Sequence, residues 1–373
     1  MSQLECSRCH RQYDADQLHN ASPCCARPLL AMYDLTSLAR DLAPGEIAGR
    51  EATMWRYHEL LPVREARSVL TLGEGMTPLL ATPRLASVGL ERRARLLVKD
   101  EGQNPTGRVR GVVTPTAGNA GAAIAAYAAR AGIPAYVSAP KDAPESCILQ
   151  ARCYGAEVDL IAGLISDAGH LAADVARQRG WFNVATLREP YRAEGKKTMG
   201  LELAEQLGWR LPGAIIYPAG GGTGIVGMWK AFAELRELGW LQDGQLPKMI
   251  IVQAEGCAPL VRALHEGRDE AETWPSSDAR TIATGLRVPS AIGDRLILQA
   301  VRESGGTGLT VSDDEMLVMT RYAAQREGML IALEAAATIA AYHKLLATHV
   351  LLPETETVLF FTGSGLPDVG RFV

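Results

Sequence analysis

The chain has 373 residues, too many for one small core, and its length fits about two domains with a small appendage. Hydrophobic residues make up 47% and charged residues 21%, the balance of an ordinary globular protein. A net charge of -4 without a long basic run argues against a nucleic-acid partner; no apolar stretch approaches the ~20 residues that cross a bilayer, and no secretory leader is visible. The expectation is a cytoplasmic protein with no nucleic-acid or membrane partner.

Residues 1–35 are short, polar and turn-rich, and they hold four of the seven cysteines. Cys6-x-x-Cys9, fourteen further residues and Cys24-Cys25 suggest a zinc-ribbon-like segment, because thiolates on tight turns suit a tetrahedral ion. A segment of ~30 residues also needs such a staple to fold. Ser22 stands where a second Cys-x-x-Cys would place cysteine, so His10 or His19 is an alternative fourth ligand, and a metal-free ribbon stays open. Cys147, Cys153 and Cys257 read as small buried thiols.

After a mixed segment at 39–66 comes the turn Gly73-Glu74-Gly75-Met76-Thr77-Pro78, and from there short β-branched runs alternate with alanine-rich helical spacing. Strands are expected at 96–99, 111–114, 135–139, 157–161, 214–217, 249–253 and 357–361. Helices are expected at 120–131, 147–154, 168–179, 197–207, 227–238, 313–327 and 333–346. This alternation predicts an α/β protein with parallel sheets covered on both faces.

Three turns follow strands directly. Gly220-Gly221-Gly222-Thr223-Gly224 sits between an apolar strand and a helix, where glycine backbone and a helix N-terminus converge on an anion, usually phosphate; a plain flexible turn is the alternative. Thr116-Ala117-Gly118-Asn119-Ala120-Gly121 offers a side-chain amide that either holds a planar ligand or caps the next helix. Thr362-Gly363-Ser364-Gly365 follows the last strand. In open parallel sheets ligands collect beyond the carboxyl ends of the strands, so the three turns describe one cleft.

These turns, together with Gly73–Leu79, Lys99–Gly107 and Glu194-Gly195-Lys196-Lys197-Thr198, resemble threonine synthase, in order from about Thr71 to Leu366. Threonine synthase is one of the fold type II pyridoxal-phosphate (PLP) enzymes. The resemblance implies two parallel-sheet three-layer domains: a large PLP-binding domain from 36–104 and 201–373, and a small α/β domain from 105–200, behind the 1–35 segment. It implies that Gly220, Gly221, Gly222, Thr223 and Gly224 hold the cofactor phosphate, that Asn119 bonds the ring hydroxyl, and that Thr362 faces the ring nitrogen. It implies Thr77 and Arg192 at the substrate, and a homodimer. The implied reaction is that of a lyase in threonine biosynthesis: O-phospho-L-homoserine and water give L-threonine and phosphate. Thr186 and Leu187 stand where many threonine synthases carry asparagine and serine, which keeps a threonine/serine dehydratase or an O-phosphoserine-using synthase in view.

One part is missing. In the family Asn-Pro-Thr-Gly is followed by Ser-Phe-Lys, whose lysine forms the internal Schiff base. Here Gly107 is followed by Arg108-Val109, and on the order of 17 residues are absent by that resemblance. The short link between the strands near 99 and 112 is also too brief for a crossover of about a dozen residues within one parallel sheet. Either the written chain skips a segment, or the gene has lost it and left a catalytically dead pseudoenzyme; the intact flanks favour the skipped segment. Lys99 reads as a strand-end charge, and Lys196 and Lys197 as solvated lysines opening a helix.

Overall fold

The computed structural model describes residues 3–86, 94–100 and 111–372. The junction from Gly107 to Val109 lies outside them. The strands in chain order are β1 (Gln3–Cys6), β2 (Gln12–Asp14), β3 (Leu29–Met32), β4 (Leu79–Ala81), β5 (Leu96–Asp100), β6 (Val112–Pro115) and β7 (Ala135–Pro140). They continue with β8 (Glu157–Ile161), β9 (Phe182–Asn183), β10 (Ala214–Pro218), β11 (Lys248–Ala254), β12 (Gly308–Val311) and β13 (Thr357–Phe361). The α-helices are α1 (Leu35–Asp41), α2 (Pro44–Ile47), α3 (Asn119–Ala131), α4 (Glu145–Cys153), α5 (Ile165–Arg179) and α6 (Tyr191–Gln206). After these come α7 (Thr223–Glu237), α8 (Pro259–His265), α9 (Asp294–Glu303), α10 (Asp313–Glu327) and α11 (Leu333–Ala347).

Two compact units form. The first takes Met1–Met76, Asn104–Arg210 and Val226–Gly244; the second takes Thr77–Gln103, Leu211–Ile225 and Gln245–Val373. The first unit holds an antiparallel three-stranded sheet, β2-β1-β3, and a four-stranded parallel sheet, β8-β7-β6-β9. The parallel sheet buries Val112, Val137, Ile124, Ala125 and Ala128 under α3, where alanine lets the helix approach closely. Its other residues meet Ala172 and Ala176 of α5.

The second unit is built on one six-stranded sheet, β12-β11-β10-β13-β5-β4, parallel except for β4 at its edge. β10, β11 and β13 are almost wholly buried, as expected for strands covered on both faces. Helix α11 contributes a buried run of Ala335, Ala336, Ala337, Ile339 and Ala340 to the core against them.

This topology corrects one inference from the sequence. β5 belongs to the six-stranded sheet and β6 to the four-stranded sheet, so the link between them is not a crossover within one sheet and its shortness breaks no rule. The segment at 39–66 holds α1, α2 and a 3-10 turn at Met54–Leu60 in place of a regular helix. No helix among the described residues is long and apolar enough to cross a membrane.

Candidate active site and cysteine cluster

The functional residues of the second unit gather at the carboxyl edge of the six-stranded sheet. β10 delivers the turn Gly220–Gly224, which opens the 15-residue helix α7. A side chain on Gly220 would run into the Gly285 carbonyl, and one on Gly224 into the Tyr217 phenol. The protein thus presses against this loop from one side, and only bare backbone fits there. The N–H groups and partial positive charge of the helix start suit an anion. The neighbouring strand β13 ends at Phe361, and Thr362 follows it directly.

β5 lies on the other side of β13 and runs the same way, with Lys99 beside Phe360. Tyr217 of β10 stacks against Phe360 with ring centroids 5.8 Å apart. Lys99 is fully buried, and its Nζ donates to the Thr77 carbonyl at 2.7 Å. Thr77, itself buried, precedes β4, whose Leu79 pairs with Lys99. Lys99 stands near the end of its strand, as expected, but it is buried there.

In the first unit, β6 ends in the asparagine turn. Gly118 is the N-cap residue of α3, and the Thr116 hydroxyl, not Asn119, accepts a first-turn N–H, that of Gly121 at 3.0 Å. The exposed Asn119 side chain instead accepts the Cys147 thiol at 3.2 Å through Oδ1. Arg192 sits in the first turn of α6, half-buried, with Nη1 donating to the Val184 carbonyl at 2.9 Å. Beside it Glu189 accepts the N–H groups of Tyr191 at 2.7 Å and Arg192 at 3.0 Å, which satisfies the open start of the helix. Burial pushes the Glu189 carboxyl up to about 7, against those bonds and the Arg192 charge, and burial also lowers Arg192. Nothing in the sequence marks this carboxyl, since Glu-Pro before a helix reads as an ordinary boundary. Leu187, at the point of departure from the family, is buried with φ of 54°, a conformation that favours glycine or asparagine.

A cluster of charges was also not anticipated. Lys197 and Glu194 are both fully buried, with Nζ 2.6 Å from Glu194 Oε2 and 2.9 Å from Glu234 Oε2. Lys230 lies 3.0 Å from Glu194 Oε1 and also contacts Glu234. Tyr33, just after β3, donates to Glu194 Oε2 at 2.7 Å and lays its ring 4.0 Å from Lys197 Nζ and 4.7 Å from Lys230 Nζ. Lys197 Nζ thus lies between two buried carboxylates, whose charges oppose the cost of its burial. Gly227 lets α7 approach the backbone of α6, since a Cβ there would stand 2.7 Å from the Lys197 backbone nitrogen. Burial acts to raise Glu194, but Lys197 and Lys230 prevail and hold it below its usual range. Burial acts to lower Lys230, but Glu194 and Glu234 bring it up to about 12. Lys197 belongs to the interior of α6, so the expected solvated lysine is a buried one.

At the N-terminus the thiols of Cys6, Cys9, Cys24 and Cys25 all lie within 4.8 Å of one another. His10 bonds Glu5 at 2.8 Å and His19 bonds the Asp14 carbonyl at 3.0 Å, so both alternative ligands are engaged elsewhere. Ser22 accepts the Cys6 thiol at 3.3 Å, beside the cluster. Of the remaining cysteines, Cys147 and Cys257 are buried as expected, whereas Cys153 at the end of α4 is exposed.

A parallel sheet with a glycine loop and helix start at its carboxyl edge is the frame of an α/β enzyme that binds a phosphorylated small molecule. A family model for pyridoxal-phosphate dependent enzymes matches residues 107–363, and the chain belongs to that family. It is 34% identical over 387 residues to a threonine synthase of Methanosarcina acetivorans, covering 99% of this chain and 93% of that one. It is 31% identical over 382 residues to a threonine synthase of Methanocaldococcus jannaschii, covering 97% and 92%. Among solved structures, a PLP-dependent aspartate racemase matches with a TM-score of 0.67 at 21% identity, covering 92% of this chain and 99% of that one, which bears out the fold type II architecture.

The sequence runs from Gly107 directly to Arg108 and Val109. The aligned span of 387 residues exceeds the chain's own length, so the Methanosarcina relative holds residues that this chain lacks. No lysine stands between Lys99 and Lys141. The cradle for a phosphate fits the cofactor; the family's covalent anchor is not in its place.

Proposed function

We propose that this protein is a carbon–oxygen lyase of the threonine-synthase type, turning O-phospho-L-homoserine and water into L-threonine and phosphate. What carries the reading is the bare-backbone loop Gly220–Gly224 beside Thr362 at one carboxyl edge, in a chain similar along nearly its whole length to threonine synthases. Bound PLP supplies the electron sink for elimination and replacement at the substrate carbons. The Gly220, Gly221, Gly222, Thr223 and Gly224 backbone would hold its phosphate, and Asn119 its ring hydroxyl. Thr362 would meet the ring nitrogen with a neutral hydroxyl. Thr77 and Arg192 would hold the substrate, with the planar guanidinium matching phosphate oxygens in pairs. The protein would work as a cytoplasmic homodimer, with no nucleic-acid or membrane partner.

The test is to supply PLP and O-phospho-L-homoserine and to measure L-threonine and phosphate, expected in equal amounts. Keto acid and ammonia from threonine or serine would instead identify a dehydratase. Absence of turnover on these substrates and on O-phosphoserine would leave a cofactor-binding protein without activity.

For the N-terminal ribbon we propose a structural zinc ion on Cys6, Cys9, Cys24 and Cys25. Four thiols in mutual reach support it, because structural zinc prefers a closed set of four thiolate or imidazole ligands. Metal analysis should find about one zinc per chain; less than about half an equivalent would sink the assignment.

A further inference from the structure

We propose that Glu334 is a positioning residue for the phosphate cradle: from the first turn of α11 its carboxyl holds the backbone of Gly285, and Gly285 in turn backs the loop Gly220–Gly224. The proposal rests on the reading of that loop as a phosphate site. It adds a residue outside the loop that sets how firmly phosphate is held.

The contacts run through a single residue. Glu334 Oε1 accepts the Gly285 N–H at 2.8 Å, between positions 49 apart in the chain. A Cβ on Gly285 would stand 2.8 Å from that same oxygen, so the carboxyl comes this close only because glycine is there. On Gly220 a Cβ would meet the Gly285 carbonyl at 2.1 Å and the Val288 side chain at 3.1 Å. Gly285 thus receives Glu334 at its N–H and presses its carbonyl against the loop.

The turn that carries Gly285 needs such a holder. It is a short 3-10 turn, Thr284–Leu286, in which Gly285 itself is exposed. Its approach is fixed by Asp313, which accepts the Ile282 N–H at 3.1 Å, and by Arg371, which donates to the Ile282 carbonyl at 3.2 Å. Within the turn the Leu286 N–H bonds the Ala283 carbonyl at 2.9 Å. The first N–H groups of a helical turn find no partner inside it, and for Gly285 the partner is Glu334.

The same stretch of chain secures the other side of the cradle. The Ala332 N–H bonds the Gly363 carbonyl at 3.0 Å, and the Gly365 N–H bonds the Leu330 carbonyl at 3.0 Å. Residues 330–334 therefore brace the turn after Thr362 through their backbone and the glycine loop through Glu334. The braced edge is not closed over by protein, since Gly221, Thr223 and Thr362 are half-exposed. A loop of bare backbone binds more tightly when its N–H groups are fixed before the ligand arrives.

Burial raises the Glu334 carboxyl above its usual range, against its own N–H, that of Gly285 and the Arg371 charge, and Asp368 adds to the rise. A raised carboxyl is more readily neutral, which lessens its repulsion of an anion in the loop. Charged or neutral, it still offers an oxygen to the Gly285 N–H, and so would the amide of glutamine. An acidic side chain in the first turn of a helix can also serve the helix dipole alone. That role would not distinguish one ligand from another.

The experiment is equilibrium dialysis of the full-length protein with pyridoxamine 5′-phosphate and with pyridoxamine, whose amines cannot condense with a lysine. Glu334→Ala should weaken the phosphorylated ligand at least about tenfold and pyridoxamine less than about twofold, as expected for one lost hydrogen bond behind the loop. Glu334→Gln should stay within about threefold of wild type for both. No change in Glu334→Ala, an equal loss of both ligands, or a glutamine variant no better than alanine would overturn the role of Glu334 and leave the cradle standing. A wild-type protein that binds pyridoxamine 5′-phosphate no more tightly than pyridoxamine would overturn the cradle and the proposal together. If Glu334→Ala does not fold, hydrogen exchange on the wild-type chain decides. The phosphorylated ligand alone should slow exchange across 281–288, and equal exchange with either ligand would overturn the proposal.

Discussion

The charged heart of the first unit is sealed from water, whereas the carboxyl edge of the six-stranded sheet is part-open at Gly221, Thr223 and Thr362, and the two treat charge in opposite ways. Around Lys197 the protein supplies its own counter-ions: Glu194, Glu234 and Lys230 answer one another, with the Tyr33 ring over both ammonium groups. At the sheet edge the cradle is made of glycine backbone, a threonine hydroxyl and the dipole of α7. Such groups carry no full charge that needs an internal partner, so they can wait for a charged ligand. The contrast separates a cluster that stabilises the fold from a surface proposed to receive a phosphate.

Breaking the first region should have the largest effect. Lys197→Met leaves Glu194 and Glu234 with one cation fewer in a dry site, and removing one member of such a set costs about 3–5 kcal/mol. Urea unfolding measures it; a loss below about 1 kcal/mol would mean that the cluster is solvated in practice. Gly220→Ala comes next, because the new methyl meets the Gly285 carbonyl. Overpacking of this kind costs about 1–3 kcal/mol and should weaken PLP retention, followed by fluorescence titration. Retention at wild-type strength would remove the loop from the phosphate site.

A smaller effect is expected at Arg192. Arg192→Gln keeps the helix but loses the guanidinium, and KM for a phosphorylated substrate should rise about tenfold with a lesser change in kcat. An equal fall in kcat and kcat/KM would argue that Arg192 acts on the transition state alone. The mildest perturbation is pH. An unfolded glutamate ionises near 4.5, whereas burial keeps the Glu189 proton up to about 7. Between these values the unfolded chain has released a proton that the folded chain retains, so this group makes stability fall as pH rises through that window. Glu194 works in the other direction: its folded range lies below its ordinary one, so its contribution is present above pH 4.5 and fades as pH falls further. Glu189→Gln should flatten the first slope in urea midpoints taken between about pH 5 and about pH 7.5. An unchanged slope would exclude Glu189 as its source.

Much of the frame was readable before the coordinates. The strands at 157–161 and 357–361 and the helix at 313–327 fall where the spacing predicts, because apolar runs and alternating helices report layered parallel sheets directly. Boundaries slipped where capping decides them: α6 begins at Tyr191, six residues before the expected start, since Glu189 satisfies its first N–H groups from outside the helix. Neither β12 nor α9 is among the expected elements: β12 is a four-residue strand whose place is set by pairing with β11, whereas α9 carries a clear apolar stripe, Ile297, Leu298, Ala300 and Val301, that its sequence does show. Lysine burial was the largest misreading. Nothing near Lys99 or Lys197 in sequence announces it, because the groups that bury them, Thr77, Tyr33 and Glu234, come from distant segments.

Tyr33 carries one consequence for anyone trimming the gene. Its ring closes over two ammonium groups, so the short cysteine-bearing ribbon ends in a gasket for the helical interior of the first unit. A chain started at Asp34 would lose both the ribbon and that seal, and water would reach Lys197 and Glu194 between α6 and α7. The amino-terminal segment is therefore a poor place to shorten this protein, even for a user with no interest in its cysteines.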